Sequence, residues 1–212
     1  GKHFVMEMRG DWKWHKDFMR LRWLGQGDLA SKMVTLCNRF KAWASSNRLQ
    51  HSQAMMTGGL LTWEGNAFPR LDLKAWNSRL FTAYFYVVLQ HLQKPDAVPT
   101  GMDQLLRKEL RLAFGSTNAM ASFLNQMEQS PRYLNEAQAT GMASACSTFL
   151  SLIEILALVS LQRGVARWKI VPKHHTMQHL AEDQLTSHYN SRFYHCFVDE
   201  DYVGVWKTLV QA

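Results

Sequence analysis

Residues 134–163 read LNEAQATGMASACSTFLSLIEILALVSLQR, and they give the strongest indication of the fold class. It is dense in Ala, Leu, Met and Gln, which favour helix, and Gly164 follows it directly, as is typical just past a helix end. Gly141 weakens the interior of this predicted helix. The most apolar part, residues 149–161, is shorter than the roughly 20 residues that span a bilayer and contains Glu154. We therefore predict a long buried helix and no transmembrane segment.

Two further helices are predicted in the first half of the chain. Apolar residues recur at helical spacing across residues 29–43, and Asp28 is placed to accept hydrogen bonds from the first turn. The same spacing recurs from Asp72 to His91. Between them, residues 51–70 contain three glycines and a proline, which predicts a loop.

The second half adds three predicted helices around the long one. Residues 102–114 and 119–129 each favour helix, and we expect two separate helices because residues 115–118 (Gly-Ser-Thr-Asn) break the pattern. Pro172 suits the first turn of another helix that runs to residue 187.

The extended segments lie near the chain ends. Residues 3–8, 167–171 and 192–198 read as short strands. With 47% hydrophobic and 19% charged residues, the chain has the composition of a folded protein, and no stretch reads as an interdomain linker. The predicted fold class is mostly α with a few short β-strands near the ends, in a single domain of residues 1–212.

The positive charge is concentrated in one segment. The net charge is +7, and residues 1–50 hold ten Lys and Arg against four Asp and Glu, so +6 lies there. Trp12, Trp14, Trp23 and Trp43 are interleaved with these cations. Cations contact phosphate and aromatic faces stack on bases, so this segment is a candidate polyanion-binding surface. The alternative is a solvated face beside a Trp-rich core.

The three cysteines form no local signature. Cys37, Cys146 and Cys196 are odd in number and far apart, which predicts neither a disulfide framework nor a CxxC metal site. We expect a reducing, intracellular compartment, either the nucleus or an organelle. No leader of the secretory type is visible.

Two clusters suggest metal chemistry. On a helix, His175 and His179 face the same way, the geometry that lets two imidazoles meet one Zn²⁺. A third ligand would come from one of four side chains: Glu182, Asp183, His195 or Cys196. The alternative for both histidines is a structural or surface role.

Asp199-Glu200-Asp201 forms the second cluster and could hold Mg²⁺ if a distant carboxylate converged on it. Asp11, which follows the first predicted strand, is the candidate distant carboxylate. The alternative for the cluster is an acidic helix N terminus.

Three motifs, read in order, resemble a known family. They are residues 10–14 (GDWKW), residues 171–175 (VPKHH) with His179, and residues 190–193 (NSRF) leading to residues 199–204 (DEDYVG). Together they resemble the later part of proteins derived from CACTA-type (Tnp2-like) DDE transposases.

The resemblance implies an incomplete RNase H-like α/β core with a large helical insertion. Residues 1–27 and 165–212 would be the core portions, and residues 28–164 the insertion. It also implies that Asp11 and Glu200 are catalytic acids that bind Mg²⁺, with Asp199 beside them, for phosphodiester transfer. A further acid is expected upstream of Asp11, where only ten residues precede it.

The sequence therefore yields two leading function hypotheses, ahead of a third, a metal-dependent hydrolase that uses His175 and His179. The first is a transposase-derived, catalytically incomplete protein that contacts nucleic acid, or an acidic protein surface, through Lys13, Lys16, Arg20 and Arg22. Mg²⁺ would be its cofactor only if catalysis remained. The second is a non-catalytic accessory subunit of a larger assembly.

Overall fold

The computed structural model describes residues 27–55, 75–94, 97, 103–162, 168 and 170–194. Within these residues the fold is mostly α, as predicted. It comprises five α-helices and a short 3₁₀ helix: α1 (Leu29–Ser46), α2 (Ala75–His91), α3 (Gln104–Gln129), α4 (Glu136–Gln162), α5 (Pro172–Ser187) and the 3₁₀ helix (Ser191–Tyr194). The predicted strand at residues 3–8 lies outside the described residues.

The N terminus of α1 forms as predicted. The side chain of Asp28 accepts a hydrogen bond from the backbone N–H of Ser31 at 2.9 Å, which satisfies one of the unpaired N–H groups of the first turn. The buried face of α1 meets α2 through aromatic rings, with Phe40 and Phe81 centroids 4.7 Å apart. The predicted helix from Asp72 is confirmed over Ala75–His91.

α3 is one continuous helix of 26 residues, so the predicted break at residues 115–118 is wrong. Gly115 lies against α4, since a Cβ on it would be 3.2 Å from Leu152 Cδ1. Ser116 and Thr117 are buried in the core, and Asn118 is exposed. The burial of Ser116 and Thr117 and the contact of Gly115 with α4 override the weak helix propensity of this segment.

α4 is the centre of the core. It confirms the predicted long helix, and its buried residues Met142, Phe149 and Leu156 pack into one hydrophobic cluster with side chains of the other helices. The close approaches of Gly115 to Leu152 and of Gly141 to Gln126 show that α3 and α4 run antiparallel. Among the described residues, α4 is the one helix long and apolar enough to cross a membrane, and core helices commonly share that composition.

α5 begins at Pro172, as predicted, and its buried Met177 and Ala181 join the same cluster as α4. The described part of the two later strand predictions forms no continuous strand. In residues 167–171, Trp168 occupies an isolated β-bridge position, and Ile170 and Val171 are not in a strand. Residues 192–194 belong to the 3₁₀ helix. The alternation of aromatic residues favoured a strand, but the turn is fixed instead by contacts with the α3–α4 loop.

Candidate functional site

The structure describes only part of the predicted site. Asp11, Lys13, Lys16, Arg20, Arg22, Asp199 and Glu200 lie outside the described residues, and so do His195 and Cys196. The described candidates are therefore the histidine pair of α5 and the cations of α1. Cys37 and Cys146 are free and buried.

His175 and His179 come together as their spacing predicts. Their Nε2 atoms lie 2.9 Å apart, and their rings meet edge to face with centroids 4.2 Å apart. Both rings are exposed on the outer side of α5. The neighbouring His174 points elsewhere and packs edge to face on Phe149 of the core, with centroids 5.8 Å apart. Only the i, i+4 pair is available to an incoming ligand.

Glu182 contacts this pair on the side of His179 that points away from His175. One carboxylate oxygen lies 3.2 Å from Nδ1 of His179, and the other accepts a hydrogen bond of 2.9 Å from the Gln178 amide. The hydrogen bond from Gln178 and that from His179 hold the pKa of Glu182 below its ordinary value of 4.5. A charged carboxylate therefore faces the outer nitrogen of His179 at neutral pH.

This placement corrects the expectation that Glu182 could be a third metal ligand. It contacts the ring nitrogen of His179 that points away from His175, which is the position of an orienting partner. Within the residues that the structure describes, no group of three His, Cys, Asp or Glu side chains could hold a metal. The described part of the site thus supplies two nitrogen donors and a carboxylate that orients one of them.

A basic surface lies on α1 and the turn after it. This basic α1 surface comprises Lys32 and Arg39 of the helix and Arg48 of the turn, and residues 29–63 contain no Asp or Glu. Lys41 is nine residues from Lys32, or two and a half helical turns, so it lies on the opposite edge of α1. Lys32 and Arg39 are seven residues apart, about two helical turns, so they share one edge of α1. Arg39 is exposed. The described segment 27–55 therefore carries four cations against the single carboxylate of Asp28.

The aromatic residues beside this surface are mostly structural. Trp43 is half-buried, with its ring centroid 5.5 Å from that of Tyr84 and 6.1 Å from that of Phe40. Burial raises the pKa of the Tyr84 hydroxyl well above its ordinary value, although the charge of Arg39 opposes the shift. Of the two interpretations of Trp43, packing fits its contacts better than base stacking.

Sequence reasoning missed the part that residues 190–193 play in the fold. Asn190 is completely buried, and its Nδ2 lies 2.8 Å from the Met127 carbonyl and 3.2 Å from the carbonyls of Ser130 and Pro131. Its backbone N–H donates to the Arg132 carbonyl at 2.9 Å. Asn190 thus closes the C-terminal end of α3.

Arg192 also binds the C-terminal end of α3, and together with Asn190 it forms a clamp between the segment after α5 and that end. It donates to the Glu128 backbone carbonyl at 2.9 Å and forms an ion pair with the Glu128 carboxylate at 3.0 Å. Arg79 of α2 pairs with the other oxygen of the same carboxylate. The local signal for this role was an Asn three residues past the end of a predicted helix, which does not identify carbonyl partners some 60 residues away.

Comparisons with known proteins leave the chain without an assigned relative. No protein-family model, no curated protein and no solved structure matches it.

Proposed function

We propose that the protein is a transposase-derived chain that acts by binding nucleic acid, through a basic surface formed by residues 1–50, without catalysing strand transfer. The observation that carries the proposal is the charge of the basic α1 surface. Residues 1–26 contain more cations than carboxylates, and α1 adds further cations to them. No Asp or Glu lies between Asp28 and Glu64. A polyanion is the ligand class that such a surface attracts.

The packing of α1 against α2 supports this proposal. α1 is held against α2 by the Phe40 and Phe81 rings, so Lys32 and Arg39 project from a packed helix. Cations on a packed helix lose less freedom on binding than cations on a loose chain. Phosphate contacts from Lys and Arg supply affinity without reading sequence, so we expect binding with little sequence preference.

Salt-dependent DNA binding tests the proposal. Fluorescence anisotropy of labelled duplex would be measured for K32Q/R39Q and for a matched control, R107Q/R111Q, whose two cations are exposed on α3. If both α1 cations contact phosphate, the first variant should flatten the slope of log K against log salt by about 1.8. The control has the same net charge and should keep the wild-type slope. Equal slopes for the two variants would refute the assignment of the phosphate contacts to α1.

The second function, an accessory subunit of a larger assembly, rests on a different observation. Ile155, Leu158 and Leu161 follow one another at helical spacing on α4 and are 40%, 55% and 60% exposed. Exposed apolar stripes of this kind are typical of protein contacts. Native mass spectrometry of the protein purified from its source distinguishes the two functions, since a monomer without partners contradicts the subunit hypothesis.

A further inference from the structure

We propose that His175 and His179 form a chelating site for a divalent transition metal, with Zn²⁺ as the reference ion and Glu182 as the residue that orients His179. Imidazole nitrogens suit Zn²⁺, Cu²⁺ and Ni²⁺, whereas Mg²⁺ prefers oxygen ligands. The site is separate from the basic α1 surface and does not depend on nucleic-acid binding.

The distance between the two ring nitrogens is close to that of a chelate. With metal–nitrogen bonds of about 2.0–2.1 Å, two nitrogens of one tetrahedral Zn²⁺ lie about 3.3 Å apart. The Nε2 atoms of His175 and His179 are 2.9 Å apart. Small rotations of two exposed side chains open the required gap, and α5 itself need not move.

Glu182 sets the tautomer that binding requires. A carboxylate only accepts hydrogen bonds, so the contact with Glu182 places the proton of neutral His179 on Nδ1 and leaves a lone pair on Nε2. The short contact then needs a proton on Nε2 of His175, directed at that lone pair. When a metal enters, this proton moves to Nδ1 of His175 through solvent, and both Nε2 lone pairs face the ion.

Acidic side chains lie beside this position. A carboxylate oxygen of Glu182 is 3.2 Å from Nδ1 of His179, on the side of the ring away from His175, and Asp183 is the next residue on the helix. A carboxylate on the outer nitrogen of a ligating histidine raises the basicity of the ring and fixes its orientation. The remaining coordination positions of the metal are open to water or to a further donor.

Zn²⁺ titration of the full chain by calorimetry tests the proposal. H175Q and H179Q should each lower the affinity of the strongest site by about tenfold or more, since replacing even an orienting partner typically costs 10–100-fold. H91Q is the matched control, because His91 is an exposed histidine near the C-terminal end of α2. It should bind Zn²⁺ as the wild type does. Circular dichroism verifies that all three variants keep their helices.

A second probe examines the ligands themselves. Cu²⁺ bound to the wild type should give an electron paramagnetic resonance spectrum with coupling to two imidazole nitrogens, and each single variant should lose one of them. E182Q keeps both imidazoles and should weaken Zn²⁺ binding by about tenfold. Equal Zn²⁺ affinities for the wild type, H175Q and H179Q, or no Zn²⁺ binding by the wild type, would overturn the proposal. An unchanged affinity in E182Q would overturn the orienting role.

Discussion

Replacing Asn190 by Ala tests the clamp that joins the segment after α5 to the end of α3. Asn190 is completely buried, and its Nδ2 group faces three carbonyl oxygens of the α3–α4 connection at 2.8 to 3.2 Å. Its Oδ1 accepts the backbone N–H of Arg192 at 3.1 Å. Alanine removes all of these side-chain hydrogen bonds and keeps the backbone hydrogen bond from residue 190 to the Arg132 carbonyl.

The expected loss follows from the number of hydrogen bonds. Nδ2 carries two hydrogens, so its three contacts amount to two full hydrogen bonds, and Oδ1 makes a third. At about 1 kcal/mol of net stability for each bond, the loss is about 3 kcal/mol. For a domain of this size that corresponds to a fall of about 6–12 °C in Tm.

Urea unfolding followed by circular dichroism measures this loss. Asn118 of α3 is exposed and serves as the matched control. N118A should be neutral, or more stable by about 0.5 kcal/mol, because alanine is the better helix former. N190D should be less stable than N190A at neutral pH, because a carboxylate would face the same three carbonyl oxygens. A loss below about 1 kcal/mol in N190A would refute the clamp.

Three further predictions concern α4 and α5. G141A should raise stability by about 0.5–1 kcal/mol in thermal unfolding, because the new Cβ meets only the flexible end of Gln126; a lower Tm contradicts this. Burial raises the pKa of Cys146 to about 11, so peptide mass spectrometry should find it alkylated by iodoacetamide at about pH 8 only after unfolding, and rapid native labelling contradicts this. Because the pKa of Glu182 is lowered in the folded state, its stabilising effect is present above its ordinary carboxyl pKa and lost as the pH falls through the lowered value. Urea unfolding at several pH values should therefore show the wild type more stable than E182Q at neutral pH and equal to it in acid, whereas a constant difference contradicts this.

The helices were predictable wherever local signals agreed with packing. Asp28 as an N-cap, Pro172 at a first helical position and the apolar spacing of residues 134–163 each identified an element that the structure contains. Residues 115–118 misled because the burial of Ser116 and Thr117 and the contact of Gly115 with α4 override their local preference. Residues 192–194 misled because contacts with Glu128 and the α3–α4 loop fix a turn where the aromatic pattern favours a strand.

The sequence predicted which residues of the candidate site share a face, but not which role each of them has. The i, i+4 spacing of His175 and His179 was sufficient to predict a shared face, and their Nε2 atoms meet there. The choice between ligand and orienting partner for Glu182 depends on which ring nitrogen it reaches, and spacing alone does not determine that. Trp43 was open to two interpretations because its contact with Tyr84 comes from α2, far along the chain.

The dependence of DNA affinity on salt tests the proposed function most directly. Lys13, Lys16, Arg20 and Arg22 are the predicted phosphate contacts outside the described residues, and four such contacts alone give a slope of about −3.6 on duplex DNA. We predict a slope at least that steep for the wild type, and one flatter by about 3.6 for K13Q/K16Q/R20Q/R22Q. A wild-type slope near zero, or no binding at about 50 mM salt, would contradict nucleic-acid binding by residues 1–50.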